Sequence, residues 1–130
     1  MDIQDKLFSD LSLEEVEEMQ EKVIASNNLQ LIFDFAIQAQ GADIQKLEDA
    51  VIASKNAEYI AKFVIIPGAN VEKLIENTLK YGDKKDFIFI KKNAKGVNLD
   101  KVDRAIDAVI SMERKAMEMK KKEQERIMLR

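Results

Sequence analysis

The segment GADIQKLEDAVIASKN, beginning at Gly41, is echoed 27 residues later by GANVEKLIENTLKYGD, and a fainter copy, GVNLDKVDRAIDAV, begins at Gly96. A second echo pairs VIASNN at Val23 with VIASKN at Val51, a spacing of 28. Self-similarity at a period of about 20–50 residues marks stacked supersecondary units, each unable to bury its apolar face alone. This periodicity limits what the chain can fold into more than any other feature.

Each unit reads as two helices. In the first, Ile44, Leu47, Val51 and Ile52 recur at i, i+3, i+7 and i+8, one face of a helix, and Val71, Leu74, Ile75, Thr78 and Leu79 repeat the stripe. Asp43, Asn70 and Asn98 precede these stripes as candidate N-caps, and Ser12, with Glu15 three residues on, forms a capping box for the first unit. Gly41, Gly68 and Gly96 fall where a preceding helix would need a left-handed C-terminal residue. In the second helix, Leu31, Ile32, Phe35 and Ala36 match Tyr59, Ile60, Phe63 and Val64, with Asn28 and Asn56 as caps. Runs such as KFVIIPG and DFIFIKK could also be strands, but the recurring spacing favours helix. The period is shared by leucine-rich repeats, whose strand signature is missing.

The third unit departs from the pattern. Phe87 and Ile88 align with Tyr59 and Ile60, yet Lys91 and Lys92 fall where Phe63 and Val64 stood, so this helix is expected to be shifted, shortened or exposed. From Asn98 no breaker interrupts the chain to Arg130, a span of roughly 48 Å if helical. Leu99, Val102, Ile106, Val109, Ile110, Ala116 and Met117 give it an apolar stripe. The expected fold is therefore all-α: a short α-solenoid of about three helical hairpins (12–40, 41–67 and 68–95) in one domain of 1–130, with a long C-terminal capping helix over 98–130.

Composition narrows the chemistry. The 130 residues include no Cys and no His, which removes disulfides, thiolate nucleophiles, zinc–sulfur sites and the commonest general base near neutral pH. Ser26, Ser54 and Ser111 sit at corresponding helix ends with no histidine to activate them. The acids Glu14, Glu15, Glu17 and Glu18 suit a helix N-terminus, where the dipole favours negative charge. No phosphate-cradling glycine motif occurs. Hence no catalytic residue, cofactor or metal is expected, and the chain reads as a non-enzyme. No membrane span or signal peptide is expected either, and a cytoplasmic location follows.

Charge is unevenly placed. Residues 1–22 hold eight acids against two lysines, for −6, whereas residues 112–130 hold seven Lys/Arg against four Glu, for +3. Three surfaces could bind a partner. In KKDFIFIKKNAK, Lys84, Lys85, Lys91, Lys92 and Lys95 flank Phe87 and Phe89, an interleaving that suits nucleic acid. The C-terminal helix carries Met112, Met117, Met119 and Met128 together with Lys120, Lys121 and Lys122, and Met-rich helical faces adapt to partners. The third is the acidic N-terminal helix.

The pattern G-A-D/N-I/V-x-K-L, followed by N-A-E-Y-I-x-x-F, resembles short helical-hairpin repeats of proteins from low-GC bacteria and their phages, within the α-solenoid class. The resemblance covers residues 12 to about 110. It implies an interaction scaffold that binds another protein in a bacterial host cell, with a phage-type inhibitor docking on a host defence complex (anti-CRISPR-like) as the expected role. The alternative is a nucleic-acid-binding accessory protein using the 84–95 lysine cluster and the basic C-terminal helix.

Overall fold

The structure, a computed structural model, describes residues 8–129. The expected contributions of Asp2, Asp5 and Lys6 to the acidic start, and the end of the last helix at Arg130, lie outside those residues. The described residues form seven α-helices and two short 3₁₀ turns, with no strand among them. The helices are α1 (Leu13–Ala25), α2 (Leu29–Gln38), α3 (Ile44–Ala53), α4 (Ala57–Lys62), α5 (Val71–Tyr81), α6 (Lys84–Asn93) and α7 (Asp100–Met128); the 3₁₀ turns are Phe8–Asp10 and Phe63–Ile65. KFVIIPG and DFIFIKK are accordingly helical.

Each helix packs on its successor in the chain. In addition α1 meets α3, α2 meets α4, α4 meets α6 and α5 meets α7. One apolar cluster runs through these contacts from Phe8 to Ile106, with Phe35, Phe63, Leu47, Ile60, Leu74 and Ile90 almost fully buried. Burying each such side chain contributes about 1.5–3 kcal/mol. Aromatic edges join neighbours, with Phe8 on Phe35 at 5.1 Å and Phe33 on Phe63 at 6.0 Å between ring centroids.

The echoed VIAS segments make one corner twice. In the first, Ser26 Oγ donates to the Val23 carbonyl at 2.6 Å and accepts from the Asn28 N–H at 3.1 Å. Asn28 Oδ1 then accepts from the Leu31 N–H at 3.1 Å to start α2. Ser54 and Asn56 repeat these bonds at the α3–α4 corner. The residue between, Asn27 or Lys55, takes the left-handed conformation that closes the preceding helix, with φ 55° and 59°.

The glycines therefore do something other than the sequence predicts. They are not left-handed helix caps: α2 and the turn after α4 end at Ala39 and Ile66 in extended conformation, two residues earlier. Gly41 and Gly68 occupy the third position of β-turns closed by Ala42 N–H to Ala39 O (3.4 Å) and Ala69 N–H to Ile66 O (3.1 Å). Their φ of 82° and 87° is the type II requirement, and Pro67 occupies the favoured second position. Two further expectations need correction. Ser111 lies within α7 rather than at a helix end. The last helix starts at Asp100, with Leu99 in the cap position and Asn98 Oδ1 accepting the Asp100 N–H at 2.8 Å, instead of starting at 98 with Asn98 as its cap.

Of the three outcomes foreseen for the third pair, the structure shows a shift by one residue. The cap Asp83 follows Asn56 by 27 positions, whereas Asn56 follows Asn28 by 28. The missing residue is lost after α4, where the chain tightens into the 3₁₀ turn before Pro67. Phe87 and Ile90 consequently take the places of Ile60 and Phe63, and all four are buried.

Two polar side chains tie alternate helices together, α1 to α3 and α3 to α5. Gln20 Oε1 accepts the N–H of Asp43, the cap of α3, at 2.7 Å, and Glu48 Oε1 accepts the N–H of Asn70, the cap of α5, at 2.7 Å. Beside them Lys46 pairs with Glu21 at 2.9 Å and Lys73 with Asp49 at 2.7 Å. Glu48 is fully buried, and its Oε2 has no hydrogen-bond partner among the described residues. Burial pushes the Glu48 carboxyl above its ordinary range, against the lowering effects of the Asn70 N–H and the Lys73 charge.

Two predictions follow from this packing. A Cβ on Gly82 would stand 2.6 Å from the Thr78 carbonyl oxygen and 3.2 Å from Ala57 Cβ, neither of which can move without the backbone. Gly82→Ala should therefore destabilise the fold by about 1–3 kcal/mol in urea unfolding; an unchanged midpoint would contradict the close approach. Because the folded Glu48 carboxyl titrates above its unfolded value, its protonated form stabilises the fold at and below the ordinary Glu pKa, and that stability is lost as pH rises through the folded pKa. Glu48→Gln keeps the acceptor for Asn70, as Gln20 does for Asp43. Its melting temperature should match the parent near pH 4.5 and exceed it by a few degrees at pH 8. A constant difference across that range would refute the assignment.

Candidate partner-binding surface

The sequence places Lys84, Lys85, Phe89, Lys91 and Lys92 on α6, and the structure divides them. The cap Asp83 and the N3 residue Asp86 close a reciprocal box at the N-terminus of α6. Asp86 is buried with Phe87 and Ile90, and this burial raises its carboxyl above the usual range. Those three side chains set which face turns inward. Lys84 then reaches Glu113 on α7 at 3.1 Å, and Lys91 reaches Asp103 on α7 at 2.9 Å. The Asp103 carboxylate holds the Lys91 ammonium above the usual lysine range. Phe89 is half-buried and packs against the apolar cluster. Lys85 and Lys92 remain exposed. The basic–aromatic interleaving thus resolves into a helix that pairs two of its lysines with α7, buries Phe87 in the core and packs Phe89 against it.

The second candidate set, Met117, Lys120, Lys121 and Lys122, lies on the outer half of α7. Val102 and Ile106 are buried, and Val109 and Ile110 are half-buried against the core. From Ser111 to Leu129 every residue is exposed. At 1.5 Å per residue, roughly 28 Å of helix projects from the packed domain. The apolar stripe expected to run on through Ala116 and Met117 stops packing at Ile110, since the same face continues as Glu113, Lys120 and Gln124. Met117 and Met119 are each 71% exposed, and Met112, Ile127, Met128 and Leu129 are also largely exposed. Met112 and Met119 lie seven residues apart, on a different line from the buried one.

Sequence reasoning missed the pairing of Gln20 and Glu48 with the following caps. A signal existed, since both stand 28 apart at otherwise apolar helix positions. It also missed a cleft of about 290 Å³ between α5 and α7, lined by Glu72, Ile75, Glu76, Asn98, Lys101 and Arg104. Among the described residues no group of three or more His, Cys, Asp or Glu is placed to hold a metal ion. No helix among them is long and apolar enough to cross a membrane. No protein-family model, curated protein or solved structure matches the chain.

If the outer half of α7 contributes nothing to the packed domain, its removal should leave stability nearly intact. Among the described residues, deleting 112–130 loses one ion pair with the packed domain, the exposed Lys84–Glu113 contact of about 0–1 kcal/mol. Thermal unfolding followed by circular dichroism should show a smaller helical signal with a midpoint within ~4 °C of the full chain. A larger fall would mean that the helix packs.

Proposed function

We propose that the chain is a short α-solenoid of about three helical hairpins closed by α7, and that it acts as a non-catalytic module binding another protein. The observation that carries this reading is the projecting half of α7, where Met112, Met117 and Met119 face solvent. Exposed methionines on a preformed helix offer a soft, polarizable surface that fits grooves of varied shape. The helix also enters a complex already ordered, so little conformational entropy is lost on docking. The resemblance to phage hairpin repeats adds the role: an inhibitor that docks on a host defence complex in the bacterial cytoplasm.

The nucleic-acid reading rests on Lys85, Lys92 and Lys120–Lys122, all exposed. It is the weaker one. Lys84 and Lys91 are committed to Glu113 and Asp103, Phe89 is half-buried, and Glu118, Glu123 and Glu125 interrupt the basic run on α7.

The test compares immobilised full-length chain with Met117→Glu/Met119→Glu, whose changes touch no packed residue. Capture from a bacterial host lysate, read by mass spectrometry, should retain a protein on the parent and lose it at least ~10-fold on the variant, about 1.4 kcal/mol or more. Equal retention on both would remove α7 as the docking element. Salt-dependent retention of RNA or DNA, abolished by Lys→Glu changes at 120–122, would favour the second reading.

A further inference from the structure

The chain carries two exposed, oppositely charged helical surfaces at the two ends of its packing order. On α1, Glu14, Glu17, Glu18 and Glu21 recur at i, i+3, i+4 and i+7, a single stripe along the solvent face. Like charges at i, i+4, as in Glu14/Glu18 and Glu17/Glu21, each destabilise the helix by a few tenths of a kcal/mol. Among the described residues the stripe has one cation in contact, Lys46 on Glu21. At the head of the stripe Leu13 is 73% exposed, an apolar side chain beside the acids. On the projecting half of α7, residues 114–122 hold Arg114, Lys115, Lys120, Lys121 and Lys122 against Glu118, interleaved with Met117 and Met119. The one surface presents an apolar point beside carboxylates, and the other presents apolar points among ammonium groups.

We propose that the projecting half of α7 docks on the α1 face of a second copy of this chain, joining copies head to tail. The two surfaces meet between copies because α1 packs on α2 and α3 whereas α7 packs on α5 and α6. The projecting segment, roughly 28 Å long, is longer than the ~20 Å of α1, so the whole acidic stripe is within its reach. Since the two contacting patches differ, the interface is heterologous, and it builds either a closed ring or an open string of copies. A single helix docked on a helix buries less than a standard interface of about 1,600 Å². Association is therefore weak, concentration-dependent and driven by charge, so salt dissociates it.

This inference rests on the reading of α7 as a docking element, and the experiment separates the two. Sedimentation of the full chain across a wide concentration range should show mass rising with concentration at ~0.05 M salt, and at least ~10-fold weaker association at ~0.5 M. Lys120→Glu/Lys121→Glu/Lys122→Glu should be monomeric, as should Glu17→Lys/Glu18→Lys. All five positions are exposed, so both variants should keep the parent's circular dichroism. Mixed in equal amounts, the two folded, monomeric variants should associate again, because each supplies the charge the other has reversed. The milder Glu17→Gln/Glu18→Gln should weaken association without abolishing it. A parent that stays monomeric at low salt, association unmoved by either reversal, or a mixture that fails to pair would each overturn the proposal. A monomeric parent that still captures a host protein through Met117 and Met119 would sink self-association alone and leave the protein-binding reading standing.

Discussion

The polar ties from α1 to α3 and from α3 to α5 depend on where a cap residue's own N–H finds an acceptor. In a capping box the third helical residue supplies it from within the helix, as Glu15 does for Ser12 and Asp86 for Asp83. Helices α3 and α5 place Lys46 and Lys73 at that position, and a lysine has only donors to give. The acceptor must then come from outside, and the helix two places earlier provides it, α1 through Gln20 and α3 through Glu48. The very next residue, Glu21 or Asp49, takes the lysine's ammonium. Of two adjacent side chains on α1 or α3, one thus supplies the missing half of the box two helices on, and the other anchors the lysine that cannot supply it. An apolar stripe alone would let one helix slide on another; these paired polar contacts fix the register.

The same logic explains why α7 begins differently. Asn98 and Lys101 repeat the spacing of Asn70 and Lys73, and Glu76 stands where Asp49 did. The acceptor position is now Ile75, a buried side chain with no polar atom. The cap bond is not made there, the helix starts at Asp100, and the cleft lined by Glu76, Asn98 and Lys101 opens at that junction. What holds α7 instead is the burial of Val102 and Ile106, with the exposed pairs Lys91–Asp103 and Lys84–Glu113 to α6 beside them. Lys84 and Lys91, which read as a binding surface in one dimension, pair with α7 where that polar tie is absent.

Caps and stripes were legible because both are local. Asp43, Asn70, Asn28 and Asn56 need only the next few residues to act, and all four cap the helices expected of them. The partners of Lys84 and Lys91 lie 29 and 12 residues away, and no periodicity within α6 announces them. The glycines misled for a related reason. A positive φ is required at Gly68 whether it closes a helix or fills a type II turn, and only the extended Ile66 before Pro67 tells the two apart. On α7, the end of burial was written in the substitution of Glu113, Lys120 and Gln124 into the inward face, but Met117 kept the stripe looking continuous.

That outer half of α7 also shows why a helix can stand without neighbours. An isolated helix must meet the cost of its first turn, and short ones in water are marginal for that reason. Here the buried turns around Val102 and Ile106 supply the nucleus, and each later residue need only propagate it. From 111 to 129 the chain offers Met, Glu, Lys, Arg, Ala and Gln, with no Gly or Pro and Ile127 as the one β-branched side chain. Glu118 and Lys122 stand at the favourable i, i+4 order. Helix propensity accounts for the charged residues and for Ala116. It does not call for four methionines, Ile127 and Leu129 facing water, where polar helix formers would serve as well. Local choices that disagree with the folded state gather at functional surfaces, and on α7 that disagreement starts at Met112, two residues after the last contact with the core at Ile110.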